Sequence, residues 1–160
     1  MRPQAHIAAS LVIWGCGNGR LAEAPVCALC GNLPDFDRNV AKALGVQRRD
    51  HHRWVSHSLV GWLPPSVLAL RAARGTRHAP AVRRGVAAVW LHLLCDTYAD
   101  GLAWLWPLDK EKIGLFMRNP ELKDAGWKTP APLSSHLGRV EAVLWAAAAV
   151  LALRRVAQAR

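Results

Sequence analysis

Two carboxylates one residue apart, Asp35 and Asp37, sit in a proline-led turn that reads N-L-P-D-F-D over residues 32–37. An Asp-x-Asp turn gathers hard oxygen donors in one place. Further on, H-H-R-W-V-S-H-S over 51–58 supplies His52 and His57, and W-L-H-L-L-C-D over 90–96 supplies His92 and Asp96. Spaced i, i+4, His92 and Asp96 project from one face of a helix, so an imidazole and a carboxylate can reach the same ion. His6, near the start of the chain, brings the candidate ligands to seven. A mixed nitrogen and oxygen set of this kind suits zinc, manganese or iron. Seven exceeds what one tetrahedral ion needs, which leaves room for two divalent ions, or for one ion with acid/base groups beside it.

Each of these residues also has a plainer reading. A lone histidine at the edge of an apolar helix is more often a hydrogen-bonded core residue, and for His6 the two readings balance. Asp35 can simply cap the next helix, and Asp37 can be an ordinary turn residue. His51 reads as the surface member of the His51–His52 pair, and His78 and His136 fall outside the motifs. Arg53 is placed to bind a phosphate or carboxylate of a substrate, or else a lipid headgroup. Ser58 is a candidate hydrogen-bond partner for a ligand histidine. No G-x-S-x-G elbow supports a serine nucleophile.

Something must bring residues so far apart in the chain together. With 160 residues the chain has the length of one domain. Its net charge of +10 suits nucleic acid, an anionic membrane surface or a phosphate-bearing substrate. The arginines lack the aromatic interleaving or helix-turn-helix pattern of a nucleic-acid reader, so no specific nucleic-acid binding is expected. Eight tryptophans and long Ala/Leu/Val runs read instead as a small membrane protein with the lipid bilayer as partner. Mean hydropathy is only +0.07, however. The longest stretches free of Asp, Glu, Lys and Arg, residues 3–19 and 54–70, lie at the short end of the ~17–25 residues needed to span. The single C-x-x-C, Cys27–Cys30, has no second pair beside it and reads as small buried residues rather than a zinc ribbon.

Helices are predicted over 5–16, ended by G-N-G-R, and over 21–33, with Pro25 near its start and Pro34 closing it. The polar, basic stretch 38–53 reads as a loop or surface helix. A third apolar segment, 54–70, carries Pro64-Pro65, which predicts a kink or a restart. A basic connector, 71–84, leads to a fourth segment, 85–99, apolar but for His92 and Asp96. A tryptophan-rich stretch over 101–108 and a loop over 109–136 precede a last helix at 137–153, which ends at Arg154-Arg155. The predicted fold class is all-α: a compact, membrane-embedded bundle of four to five helices in one domain. If consecutive helices run antiparallel, the histidines and aspartates collect at one end and the arginine connector at the other.

The ordered set L-P-D-F-D, H-R-W-V-S-H-S and H-L-L-C-D followed by G-L-A-W-L-W-P resembles the YdjM family of membrane-bound, metal-dependent hydrolases, described as LexA-binding and inner-membrane-associated. Members share a P-D-x-D turn, an H-R-G-x-T-H-S segment and an H-x-x-x-D helix followed by a glycine-to-proline stretch, usually with a histidine near the N-terminus. The resemblance covers about residues 5–108. It implies metal positions at His6, Asp35, Asp37, His52, His57, His92 and Asp96, and a multi-pass place in the inner membrane. Trp54 stands where the family has glycine. Ser56 replaces threonine and keeps a hydroxyl beside the ligands. The implied reaction is hydrolysis, with water activated by the divalent metal, zinc above all, attacking a phosphoester or ester. Asp35, Asp37 or His52 would be the general base, and location alone suggests a lipid-linked substrate. The second reading is a non-enzymatic membrane protein with a structural or transport metal site. A transporter places its ligands near the bilayer midplane on broken helices, whereas these fall at helix ends.

Overall fold

The computed structural model describes residues 3–17, 19–45, 50–115 and 133–159. Among them are α1 (Pro3–Cys16), α2 (Ala24–Asn32), α3 (Phe36–Ala43), α4 (Leu59–Ala73), α5 (Ala79–Ala99) and α6 (His136–Gln158). Single turns of 3-10 helix lie at Leu21–Glu23, His51–Arg53 and Val55–His57. The described residues contain no strand, only an isolated antiparallel bridge between Leu102 and Ile113. The described residues are all-helical, as the apolar segments predict. Residues 116–132 of the predicted 109–136 loop, and 46–49 of the basic stretch, lie outside the described residues.

Two segments depart from the sequence reading. α4 is one continuous helix through Pro64 and Pro65, with no restart after them. Both prolines are exposed, in the second turn of the helix, so the interruption is limited to the two backbone hydrogen bonds that proline cannot donate. The N-terminus is well made, because the Ser58 hydroxyl accepts the Gly61 N–H at 3.2 Å. The basic connector is also shorter than predicted: α4 ends at Ala73 and α5 begins at Ala79, with Pro80 in its first turn. Gly75 turns the chain between them at φ +76°, a conformation that favours glycine.

Helix α1 packs against α2, α5 and α6, while α4 lies against α5 and the Val55–His57 turn. The buried faces are built from small residues, among them Ala5, Ala8, Ala9, Ala88, Ala99 and Ala148. Small side chains let helix backbones approach closely. Gly31 marks one such approach: a Cβ there would collide with the Ser10 hydroxyl of α1. Trp14 and Cys27 fill the space toward the other end of the bundle.

Among the described residues no helix is both long and apolar enough to cross a membrane. The two charge-free stretches fold into α1 and α4, of 14 and 15 residues. At 1.5 Å per residue these reach about 21–23 Å, short of a hydrocarbon core of about 30 Å. α5 and α6 are longer, but α5 carries Arg83, Arg84 and Asp96, and α6 carries Arg139, Glu141, Arg154 and Arg155. The described helices therefore do not provide the multi-pass spans expected from the sequence.

Candidate metal centre

The site is assembled from four pieces of chain at one end of the bundle. His6 comes from the first turn of α1, Asp35 from the α2–α3 turn, Asp37 from the first turn of α3, and His92 and Asp96 from the last two turns of α5. The fourth piece is the 51–58 loop, which has no helix of its own beyond two 3-10 turns. Its shape is imposed by the chain that follows α5: Ala103 N–H donates to the His52 carbonyl at 3.1 Å, and Leu59 N–H to the Trp104 carbonyl at 3.0 Å. Trp104 is itself anchored, its indole donating to the Thr97 hydroxyl at 2.9 Å.

Asp96 is the hub. Fully buried, it places Oδ1 at 3.2 Å from His6 Nε2 and Oδ2 at 3.1, 3.4 and 3.7 Å from the Nε2 atoms of His92, His52 and His57. Asp35 occupies the N-cap position of α3 but makes no capping hydrogen bond. Its Oδ1 turns inward instead, 3.2 Å from His51 Nε2, 3.6 Å from His57 Nε2 and 3.9 Å from His92 Nε2. The rings of His6 and His92 stack with centroids 3.7 Å apart.

Three of these imidazoles are held from behind through Nδ1. His92 bonds the Gly31 carbonyl at 2.7 Å, His52 bonds Asp100 at 2.9 Å, and His57 meets the Ser56 hydroxyl at 3.1 Å. Ser56 in turn donates to Asp37 Oδ2 at 2.6 Å. Outer partners of this sort fix ring orientation and tautomer at metal sites and leave Nε2 free to ligate. The Nε2 atoms of His57 and His92 are buried without a hydrogen-bond partner. Although both come within ion-pair distance of carboxylates, neither contact has hydrogen-bond geometry, an arrangement that suits donors converging on a shared cation. Two sets of donor atoms lie within 4.8 Å of one another: Asp35, His57, His92 and Asp96, and separately His51, His52 and His57. His57 belongs to both. The donor chemistry and the orphaned nitrogens fit a divalent ion.

Asp37 and His6 are in neither set. Asp37 reaches the cluster through Ser56, and His6 touches Asp96 from the far side of the His92 ring. Ser58 caps α4 and gives its proton to the Val55 carbonyl at 2.9 Å, so its hydroxyl serves backbone rather than histidine. Arg53 is exposed and pairs with Asp50 at 3.3 Å. It lines a polar cleft of about 370 Å³ together with Asp50, Asp100, Glu111 and Lys112. The structure brings in two groups that the sequence reading set aside or passed over. His51 is largely buried against Asp35, and Asp100 joins the cleft to His52. Asp100 continues the His92, Asp96 spacing by another four residues, a signal present in the sequence.

The charges follow from these contacts. Burial favours a neutral Asp35, but the close imidazoles of His51 and His57 outweigh it and hold the carboxyl far below its usual range. Burial likewise opposes a charged His52. Its bonds to Asp100 and Asp96 win, raising it to about 9, and the same bond from His52 lowers Asp100. In metal-free protein the His52 charge therefore stabilises the fold fully below its ordinary value of 6.5, and that contribution is lost as pH rises through about 9. Melting of the chelated protein should drop over this window, and Asp100→Asn should flatten the drop. A melting temperature flat across the window in the unsubstituted chain would refute the pairing.

An all-helical bundle with a buried histidine–aspartate cluster able to hold a divalent ion defines the class. The chain belongs to the YdjM family: the family model, described as YdjM inner membrane protein, matches residues 1–160. No curated protein and no solved structure matches it.

Proposed function

We propose that the chain is a metal-dependent hydrolase attached to the inner membrane, with zinc as the ion and a phosphoester or ester as the bond cleaved. One observation carries the reading: buried imidazoles, oriented from behind, direct Nε2 at the buried Asp96 and the partly buried Asp35 beside an open, charged cleft. Asp35, His57, His92 and Asp96 would hold one ion; His51 and His52 form an alternative seat with the same His57, whose single free nitrogen serves one ion at a time. Bound there, a divalent ion supplies Lewis acidity and a water acidic enough to attack near neutral pH. His52, outside the first set, stands between cluster and cleft with Nδ1 on Asp100, so it can move a proton between the site and solvent through Asp100. Arg53 and Lys112 share Asp50, at 3.3 and 3.6 Å, and can exchange that carboxylate for a phosphoryl oxygen of the substrate.

Elemental analysis of purified protein, followed by turnover of generic phosphoester and ester substrates, tests the assignment. Bound metal and turnover that chelation abolishes and the divalent ion restores are expected. Metal without turnover would move the assignment to a structural or transport site, and absence of metal would remove both. Membrane attachment is supported by the exposed apolar side chains of α4 (Leu63, Leu68) and α6 (Val143, Val150, Leu153). Carbonate-washed membranes should retain the chain in the pellet; release to the supernatant would contradict attachment.

A further inference from the structure

The bundle has a second cavity that the metal centre does not use. It is an apolar groove of about 400 Å³ between α2, α4 and α5, within the roughly 300–1,000 Å³ range of ligand pockets. Val26 and Leu33, Trp62 and Ala69, and Val82 and Val89 form its three walls. The one hydroxyl among the lining residues, Ser66, already accepts the indole N–H of Trp90 at 3.0 Å. The groove therefore offers an occupant almost nothing to hydrogen-bond.

One end abuts the metal centre. Leu33 lies two residues before Asp35, and Val89 lies less than one turn before His92. Trp62 donates its indole N–H to the Ser56 carbonyl at 2.6 Å, next to His57. The other end reaches His78, at the turn between α4 and α5.

We propose that this groove holds the hydrocarbon chain of an amphiphilic substrate whose phosphoester or ester head lies at the metal centre. The proposal rests on the hydrolase reading and names its substrate class. An extended peptide fits poorly, because its backbone N–H and C=O groups would face a wall without partners. A docked helix, about 10 Å across, is too thick for this volume over the nine residues from Ala81 to Val89, about 12 Å along α5. Val26 and Leu33 on the rim are exposed, so a chain can enter sideways, and a family of inner membrane proteins meets such chains in its own surroundings.

The probe is a dodecyl phosphonate carrying a diazirine at its tail, irradiated with the full, metal-loaded chain in nanodiscs. Labelling should concentrate on the far end of the groove, residues 69 and 78–82. Ala69→Trp and Val82→Trp, one from each of two walls, should each cut that labelling by about tenfold, as expected for excluding about two methylene groups from an apolar wall. Metal content and turnover of a butyl phosphoester should stay unchanged in both. Label spread over the exposed apolar faces of α4 and α6, unaltered by either substitution, would overturn the groove while short-chain turnover kept the hydrolase reading. Label confined to the groove, with no turnover of any substrate, would keep the groove as a chain-binding site and remove the hydrolase reading.

Discussion

Asp96→Asn is expected to strip the protein of metal and of any hydrolytic activity while leaving the bundle folded. The carboxylate is fully buried and meets four imidazole nitrogens between 3.1 and 3.7 Å. Asparagine keeps the size and one acceptor oxygen but replaces the negative charge with an amide that has protons to place among nitrogens meant to ligate. Affinity should fall by more than the roughly 10–100-fold typical of removing an outer partner. The fold should survive, because the substitution also removes a buried charge that metal-free protein must balance with histidines alone. Elemental analysis beside a melting curve separates the two effects. Full metal content in Asp96→Asn would make the carboxylate a structural hydrogen-bonding group, and the site would lose its centre.

His57→Ala should be as damaging, for a different reason. His57 is the member common to both donor sets, so its loss opens both. His51 belongs to one set only, and His51→Ala should weaken metal binding without abolishing it. His78→Ala, at the α4–α5 turn on the far side of the bundle, should carry the same metal as the unsubstituted chain. If His51→Ala and His57→Ala retained equal metal, the shared-ligand geometry would be wrong.

Local sequence determined the donor types, the i, i+4 pairing of His92 with Asp96, and the helical character of the apolar segments. Those features depend on residue chemistry and a period of 3.6, both readable within one turn or two. Helix length was less legible. A charge-free run in α1 and α4 looks long enough to span until turns and caps at its ends shorten the helix, whereas the longer α5 and α6 draw in flanking arginines. The roles within the cluster depended on contacts far apart in sequence. The 51–58 loop takes its shape from bonds to Ala103 and Trp104, about fifty residues on, and that shape turns His51 toward Asp35 and puts Ser58 at a helix cap. Likewise Asp37 stands one hydroxyl back from His57, and Asp35 faces inward rather than capping α3, because of where α2 meets α5 across Gly31. Residue types can be read from a chain, but which nitrogen of a histidine faces the cavity is decided by what grips the other one, and here those grips come from Gly31, Ser56 and Asp100 on three separate segments.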